Sequence, residues 1–138
     1  MSALYLKQSV VVKVVVTEKF KEEYKAELQR QISTAESRAK ELRSSLSRVV
    51  IESAGISNAS YVETLKSRIE EERMLQESVA AELRERLKDV DKLEVNSIFP
   101  YTVLEGLTEV KEGDNLFRKI SSQEILLKDD IVIGIKSD

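Results

Sequence analysis

Residues 9–16 read SVVVKVVV, and this stretch decides how the rest of the chain folds. β-Branched side chains at this density favour a strand, because their restricted χ1 angle suits a pleated surface. The even-numbered valines from position 10 to 16 fall on one face, and Lys13 interrupts a nearly apolar second face. Such a strand needs cover on both sides, which predicts burial in a small barrel or against another subunit.

A helix is predicted to follow this strand directly. Thr17 suits the N-cap, because its hydroxyl accepts a backbone N–H, and Glu18 suits the positive first turn. Gly55 predicts the end of the helix, since glycine adopts the left-handed cap conformation without steric cost. Between these signals, apolar residues alternate in steps of four and three, as in a coiled-coil seam: Leu28, Ile32, Ala35, Ala39, Leu42, Leu46 and Val49.

A second helix of similar length is predicted to begin at Ser60, which forms a capping box with Glu63. The two helices, over residues 17–54 and 60–93, are expected to fold back antiparallel around a turn near residues 55–60. The second seam contains apolar and polar positions: Val62, Leu65, Ile69, Glu72, Gln76, Val79, Leu83 and Val90. Polar residues there, including Arg86, select a register or mark a seam that does not pack, and the sequence leaves both possibilities open.

Beyond residue 93 the apolar pattern has a period of two, which predicts strands. Pro100 belongs at an edge or a bulge, because proline cannot donate to a strand ladder. Glu105-Gly106 predicts a turn, and Asp114 predicts the cap of a short helical turn. A two-residue loop, Asp129-Asp130, predicts a closing β-hairpin that pairs with the valine strand.

Together these elements predict an α+β fold. A long antiparallel coiled-coil helical hairpin, residues 17–93, is inserted between the N-terminal strand and the C-terminal strands of a small β-barrel-like domain. Residues 1–16 and 94–138 are expected to form that β domain. Because two lone helices have a thin core, we expect further helices from another copy, and hence a homo-oligomer.

The composition argues against most enzyme chemistry. Cysteine and histidine are both absent, which excludes thiolate nucleophiles and removes the commonest general base and transition-metal ligand. The net charge is −3 with interleaved signs, so nucleic acid is not favoured as a partner. The acidic runs at residues 70–72 and 129–130 are interpreted as a solvated helix face and a turn. We therefore expect no enzyme activity, no catalytic residue, no cofactor and no metal.

No stretch approaches the roughly twenty apolar residues that span a bilayer. The valine run at the amino terminus is not followed by a small-residue cleavage site. We expect a soluble, cytoplasmic protein that does not bind membranes.

Three quoted stretches resemble the YlqD family of uncharacterised bacterial proteins. They are VVVKVVVTEKFKEEYKAEL at residues 10–28, GDNLF at 113–117 and EILLKDDIVIGIK at 124–136. The resemblance covers nearly the whole chain and implies no reaction, cofactor or ligand. The usual hairpin of the family has aspartate-glycine in its turn, whereas Asp130 stands at the glycine position here.

The leading functional hypothesis is a non-catalytic, oligomeric coiled-coil interaction or scaffold protein, whose β domains form a base and whose hairpins bind an unidentified protein. Val50, Ile51, Ile56 and Tyr61, around the hairpin turn, are the candidate partner-binding tip. The alternative for these side chains is that they only seal the turn. The alternative function is an RNA- or ribosome-associated factor that uses the lysines and arginines of the first helix, and an enzyme is the third possibility.

Overall fold

A computed structural model describes residues 2–55, 59–121 and 123–136. The elements in chain order are β1 (Ala3–Val15), α1 (Glu18–Glu52), α2 (Ala59–Val90), β2 (Ile98–Lys111), α3 (Leu116–Lys119), β3 (Gln123–Lys128) and β4 (Ile131–Lys136). The fold is α+β, with a helical hairpin between an N-terminal strand and C-terminal strands, as predicted. Two compact units result: Met1–Lys21 with Leu93–Asp138, and Glu22–Lys92.

The four strands form one mixed sheet in the order β2-β1-β3-β4. β1 pairs antiparallel with β2 and parallel with β3, and β3 pairs antiparallel with β4. The prediction of a β-barrel-like domain is wrong, because β2 and β4 remain the two edges of an open sheet. Small barrels close with about five or more strands, and the described part of the chain supplies only four.

β2 confirms one prediction and contradicts another. Pro100 lies on this edge strand, next to a bulge between Val12 and Lys13 of β1, as expected. The turn predicted at Glu105-Gly106 is absent, since β2 continues through both residues. The reason is that β1 begins as early as Ala3 and offers ladder partners to the whole of β2.

The closing hairpin has the predicted two-residue loop. Asp129 and Asp130 both have positive φ angles, 48° and 70°, which fits a type I′ turn. A bulge between Leu126 and Leu127 pairs Ile135 with Ile125, so these two isoleucines share a face. The sequence pattern instead places Ile135 with Leu126, because a strict period of two cannot show a bulge.

The core of the sheet unit surrounds the end of the valine strand. Val12, Val14 and Val16 are buried, the last completely. The Val16 N–H donates to the carbonyl of Ser97 at 2.8 Å, which joins the strand end to the segment before β2. The Phe20 ring lies 6.1 Å from that of Phe99 and 5.7 Å from that of Tyr101, centroid to centroid.

The hairpin unit has the predicted first seam. Leu28, Ile32, Ala35 and Ala39 are buried in α1. The φ angle of Gly55 is +90°, which confirms the left-handed residue after α1. α2 starts at Ala59, so Ser60 lies within its first turn rather than before it.

The second seam follows a different path from the predicted one. Ala80 is 2% exposed, whereas the neighbouring Val79 is 37% exposed. Counting back from Val90 in steps of three and four gives the sequence of inward positions: Leu87, Leu83, Ala80, Gln76, Arg73 and Ile69. All of these side chains are buried or half-buried. Arg73 therefore lies in the seam, and Glu72 is exposed.

Candidate functional site

The predicted hairpin tip is exposed where the structure describes it. Val50, Ile51 and Tyr61 are 49%, 74% and 65% exposed, and Ile56 lies outside the described residues. Successive residues of an α-helix are 100° apart, so Val50 and Ile51 face different sides of α1. Tyr61 precedes the seam residue Val62, which places it on the opposite flank from Val50. The three side chains thus do not form a single patch.

One flank of the hairpin, here called the sealed flank, is bridged by ion pairs between the two helices. In two pairs both residues directly follow a seam position, and the third joins Lys25, in the turn before Leu28, to Asp91, which directly follows Val90 at the end of α2. The numbering rises in α1 as it falls in α2, so the helices are antiparallel. The pairs are Lys25 with Asp91, Glu36 with Arg84 and Arg43 with Glu77.

The other flank, here called the open flank, consists of the residues that directly precede each seam position. Among the described residues, no ion pair between the helices crosses it. A groove of ≈ 360 Å³ lies there, with Thr34 and Arg38 on the α1 side and Gln76 and Val79 on the α2 side. Leu75, on the same stripe of α2, is 54% exposed. The open flank therefore leaves apolar surface between the helices uncovered.

Four cations of the hairpin unit have no carboxylate partner in the described part of the chain: Arg38, Lys40, Arg48 and Arg68. All the other lysines and arginines of this unit form ion pairs, namely Lys25, Arg30, Arg43, Lys66, Arg73, Arg84, Arg86, Lys88 and Lys92. The four without a partner all lie in the half of the hairpin nearer the turn. Positive charge there is available to an anionic partner.

The polar position in the second seam is occupied by Arg73, which the sequence interpretation missed in favour of Glu72 and Arg86. The Arg73 guanidinium donates to Glu70 at 3.1 Å and to Glu77 at 3.0 Å, and its side chain is 19% exposed. Glu77 also pairs with Arg43 of α1, so the network links both helices. Extending the step pattern backward from Val90 would have found it.

The Arg73 network shifts the ionisation of its members. The hydrogen bond from Arg73, together with the positive charge of Arg73 and Arg43, holds the pKa of Glu70 below its ordinary value, against a smaller opposing effect of desolvation. The carboxylate of Glu70 raises the pKa of Arg73 in turn. Both groups are charged at neutral pH, which suits a structural or recognition role.

The second face of the sheet, made by the odd-numbered side chains of β1 and their neighbours, carries uncovered apolar residues. Tyr5, Val103 and Leu107 are 65%, 58% and 71% exposed. Val103 pairs with Val11 and Leu107 with Lys7, so they share this face. Beside them lies a groove of ≈ 290 Å³, lined by Lys13, Ile98, Glu124, Ile125, Leu126, Gly134, Ile135 and Lys136.

The charged pair in the sheet groove is a structural ion pair. Lys13 contacts Glu124 at 3.0 Å, and about a third of each side chain is exposed. Across the described ranges, no group of three or more histidine, cysteine, aspartate or glutamate side chains could hold a metal ion. Within the same ranges, none of the helices contains a stretch both long and apolar enough for a membrane span.

These features define an α+β protein with an open mixed sheet, a charged helical hairpin and uncovered apolar surface on both units. The chain belongs to the YlqD family, whose model, described as YlqD protein, matches residues 4–136. A crystal structure of a protein of unknown function from Synechococcus sp. WH 8102 is similar, with 26% identity and a TM-score of 0.78. The match covers 99% of this chain and 96% of that one. A search of the curated proteins found no match.

Proposed function

We propose that this protein is a non-catalytic interaction protein that self-associates and binds a protein partner. The observation that carries the proposal is the second face of the sheet, where Tyr5, Val103 and Leu107 are mostly exposed. Lys7, Glu105 and Glu109 lie between these apolar side chains on the same face. Burying the exposed apolar area against a second chain is favourable by about 25 cal/mol per Å².

The hairpin supplies the second part of the proposal. Its exposed tip side chains, Val50, Ile51 and Tyr61, lie at the two helix ends that flank the turn. Because they face different sides, they suit a partner that wraps around the end of the hairpin better than a flat surface. Ile51 and Tyr61 are the most exposed of the three and are the residues to change in a capture experiment.

The self-association is tested with a variant of the sheet face. Leu107→Lys places a charge in the uncovered apolar surface, and Glu112→Lys is the matched control, because it adds a lysine at an exposed turn position. Sedimentation equilibrium is expected to give a lower average mass for Leu107→Lys than for the wild type and the control. Equal masses for all three proteins would remove the sheet face from the proposal.

Partner binding is tested separately by affinity capture with two tagged chains, the wild type and an Ile51→Ser/Tyr61→Ser variant. A protein that the tagged wild type retains is then offered to both chains under the same conditions. We expect the variant to retain it at least tenfold less well. Equal retention would move partner binding away from the tip.

A second candidate function, an RNA- or ribosome-associated factor, is favoured by the four cations without carboxylate partners. Phosphate contacts release counterions, so the affinity for ribosomal RNA must fall as the salt concentration rises. A filter-binding salt series with the wild type and with Arg38→Gln/Lys40→Gln/Arg48→Gln/Arg68→Gln tests it. Salt dependence in the wild type that is lost in the variant would support RNA binding, and no binding at low salt would exclude it.

A further inference from the structure

We infer that the open flank of the hairpin binds the open flank of a second copy, with the two hairpins running antiparallel to each other. This inference rests on the proposed self-association and names a surface for it that is independent of the sheet face. The observations behind it are the one-sided placement of the ion pairs between the helices, the groove opposite them and the charges along that groove.

The asymmetry of the two flanks shows where another helix fits. On the sealed flank, three ion pairs between the helices cover the seam. On the open flank, the groove exposes Val79 to 37% and leaves Arg38 without a carboxylate partner. A helical hairpin that has only two helices buries little surface, and a second hairpin on the open side would complete a four-helix core.

The outermost charges of the open flank differ in sign between its two ends. The ion pairs between the helices fix which residues lie at the same level, and they place Arg48 of α1 opposite Arg68 of α2 near the turn. At the far end, Glu27 lies opposite Asp89. The outermost charges of the open flank are thus positive at the turn end and negative at the far end, with Val79 midway between them. Glu72 and Arg86, about one turn further in on α2, carry the opposite sign at each end.

This pattern is complementary to itself when one hairpin is turned end over end. A two-fold axis through the level of Val79 places Arg68 beside Asp89 of the partner subunit and Arg48 beside Glu27 of the partner subunit. Symmetry repeats both pairs at the other end of the contact, because a two-fold interface uses the same patch on each copy. Glu72 and Arg86 form a further complementary pair between the copies in this arrangement.

On the α2 side, the centre of the same arrangement is apolar. Val79 meets the Val79 of the partner subunit at the axis, and Leu75 lies one turn away on the same stripe. Their exposures of 37% and 54% in one chain show that this surface is still available for burial. On the α1 side, Arg38 lies at the axis opposite Arg38 of the partner subunit, and Glu41 of the partner subunit, within one helical turn, supplies an opposite charge there.

The charges disfavour the other two-fold arrangement, with both turns at the same end. There, α1 of one copy would lie on α2 of the other, and Arg48 would meet Arg68 of the partner subunit. Glu27 would likewise meet Asp89 of the partner subunit at the far end. Like charges opposed at both ends weaken such a contact, so the antiparallel arrangement is preferred.

A thiol placed at the axis reports directly on this contact. The chain contains no cysteine, so Val79→Cys introduces a single thiol. Packed helices lie about 8–10 Å apart, within the reach of a short bifunctional thiol reagent. We expect efficient cross-linking of the full-length Val79→Cys chain into dimers. The matched control is Ala81→Cys, which follows the seam residue Ala80 on the sealed flank and is expected to cross-link poorly.

Charge reversal tests the orientation. In the Val79→Cys chain, treated with nuclease to remove bound nucleic acid, Arg68→Glu is expected to lower the cross-linking yield about tenfold, and Asp89→Lys is expected to do the same. The double variant Arg68→Glu/Asp89→Lys should restore the yield, because the swapped charges meet again across the axis. Circular dichroism checks that each variant keeps its helices.

Four results would overturn the inference. Equal cross-linking at positions 79 and 81 would show random collision, and a higher yield for Arg68→Glu alone would indicate the arrangement with both turns together. No cross-linking at Val79→Cys while light scattering still detects an oligomer would refute the hairpin contact and leave the proposed function standing. A monomer by light scattering would refute both.

Discussion

The Thr17 hydroxyl donates a hydrogen bond to Oδ1 of Asp129 at 2.7 Å, and these residues are separated by 112 positions in the sequence. The same oxygen accepts from the Phe20 N–H at 3.0 Å, so it also caps α1. One side chain thus joins the start of the first helix to the turn of the closing hairpin. The junction of strand and helix is held from both ends of the chain.

Thr17→Val keeps the shape of the side chain and removes both hydrogen bonds. We expect it to lower the free energy of unfolding by about 1–2 kcal/mol, because an N-cap and a bond to a carboxylate are lost together. Urea unfolding followed by circular dichroism measures the change. Thr17→Ser retains the hydroxyl and is the control. If both variants unfold alike, the hydroxyl has no role in the junction.

Asp130→Gly is expected to stabilise the chain. Asp130 has a φ of 70°, in the left-handed region that glycine adopts without steric cost. Relief of this strain should raise the free energy of unfolding by about 0.5–1 kcal/mol. Asp129→Gly relieves the same kind of strain but loses the bond to Thr17, so it should gain less or lose stability. A destabilised Asp130→Gly would contradict the type I′ turn.

Gln8 is the buried polar side chain of the described core, at 5% exposure. Its amide nitrogen donates to the carbonyl of Ser121, and its amide oxygen accepts from the Thr108 hydroxyl. Gln8→Ala removes both hydrogen bonds from a buried position, and we expect a loss of about 2–3 kcal/mol in urea unfolding. Lys7→Ala, at the exposed neighbouring position, should change the stability by less than about 0.5 kcal/mol.

The Arg73 network predicts acid sensitivity. Because the folded pKa of Glu70 is below its unfolded value, its contribution to stability is complete above the unfolded pKa, about 4.3. The contribution is lost as the pH falls through the lowered pKa of the folded state. Arg73→Gln should therefore differ from the wild type in urea midpoint at pH 7, and the difference should shrink as the pH falls through the lowered pKa of Glu70 in the folded state. A difference that is independent of pH would show that Arg73 acts through packing alone.

The sequence predicts most of the features that depend on local chemistry, although α2 begins at Ala59 rather than after a cap at Ser60, and Asn115 rather than Asp114 caps α3. The N-cap at Thr17, the left-handed Gly55 and the two-residue loop at Asp129-Asp130 each follow from the conformational preference of one or two residues, and each is present. The first seam follows from an uninterrupted step pattern. The family resemblance is also confirmed, over residues 4–136.

The features that depend on pairing between distant segments could not be predicted. Gly106 resembles a turn residue until β1 is known to extend to Ala3, where it supplies a ladder partner. The bulge beside Leu127 reverses the faces of β4 without any mark in the sequence. An open sheet and a closed barrel have the same strand patterns, and only the strand order distinguishes them.

The candidate site was predicted less well than the fold, for a physical reason. Val50, Ile51 and Tyr61 are exposed because they lie next to a turn. The side of the hairpin that each one faces depends on which neighbouring residues form the seam. Polar interruptions blurred the second seam, so Arg73 and Val79 were assigned to the wrong sides. The open flank becomes visible only when the ion pairs between the helices locate the sealed one.

The mass of the intact wild-type chain in solution tests the central claim, self-association through uncovered apolar surface, most directly. Multi-angle light scattering during size exclusion, over micromolar concentrations, is the measurement. We predict a mass of at least twice the 15.7 kDa of one chain. A constant mass of 15.7 kDa across that range would contradict the claim.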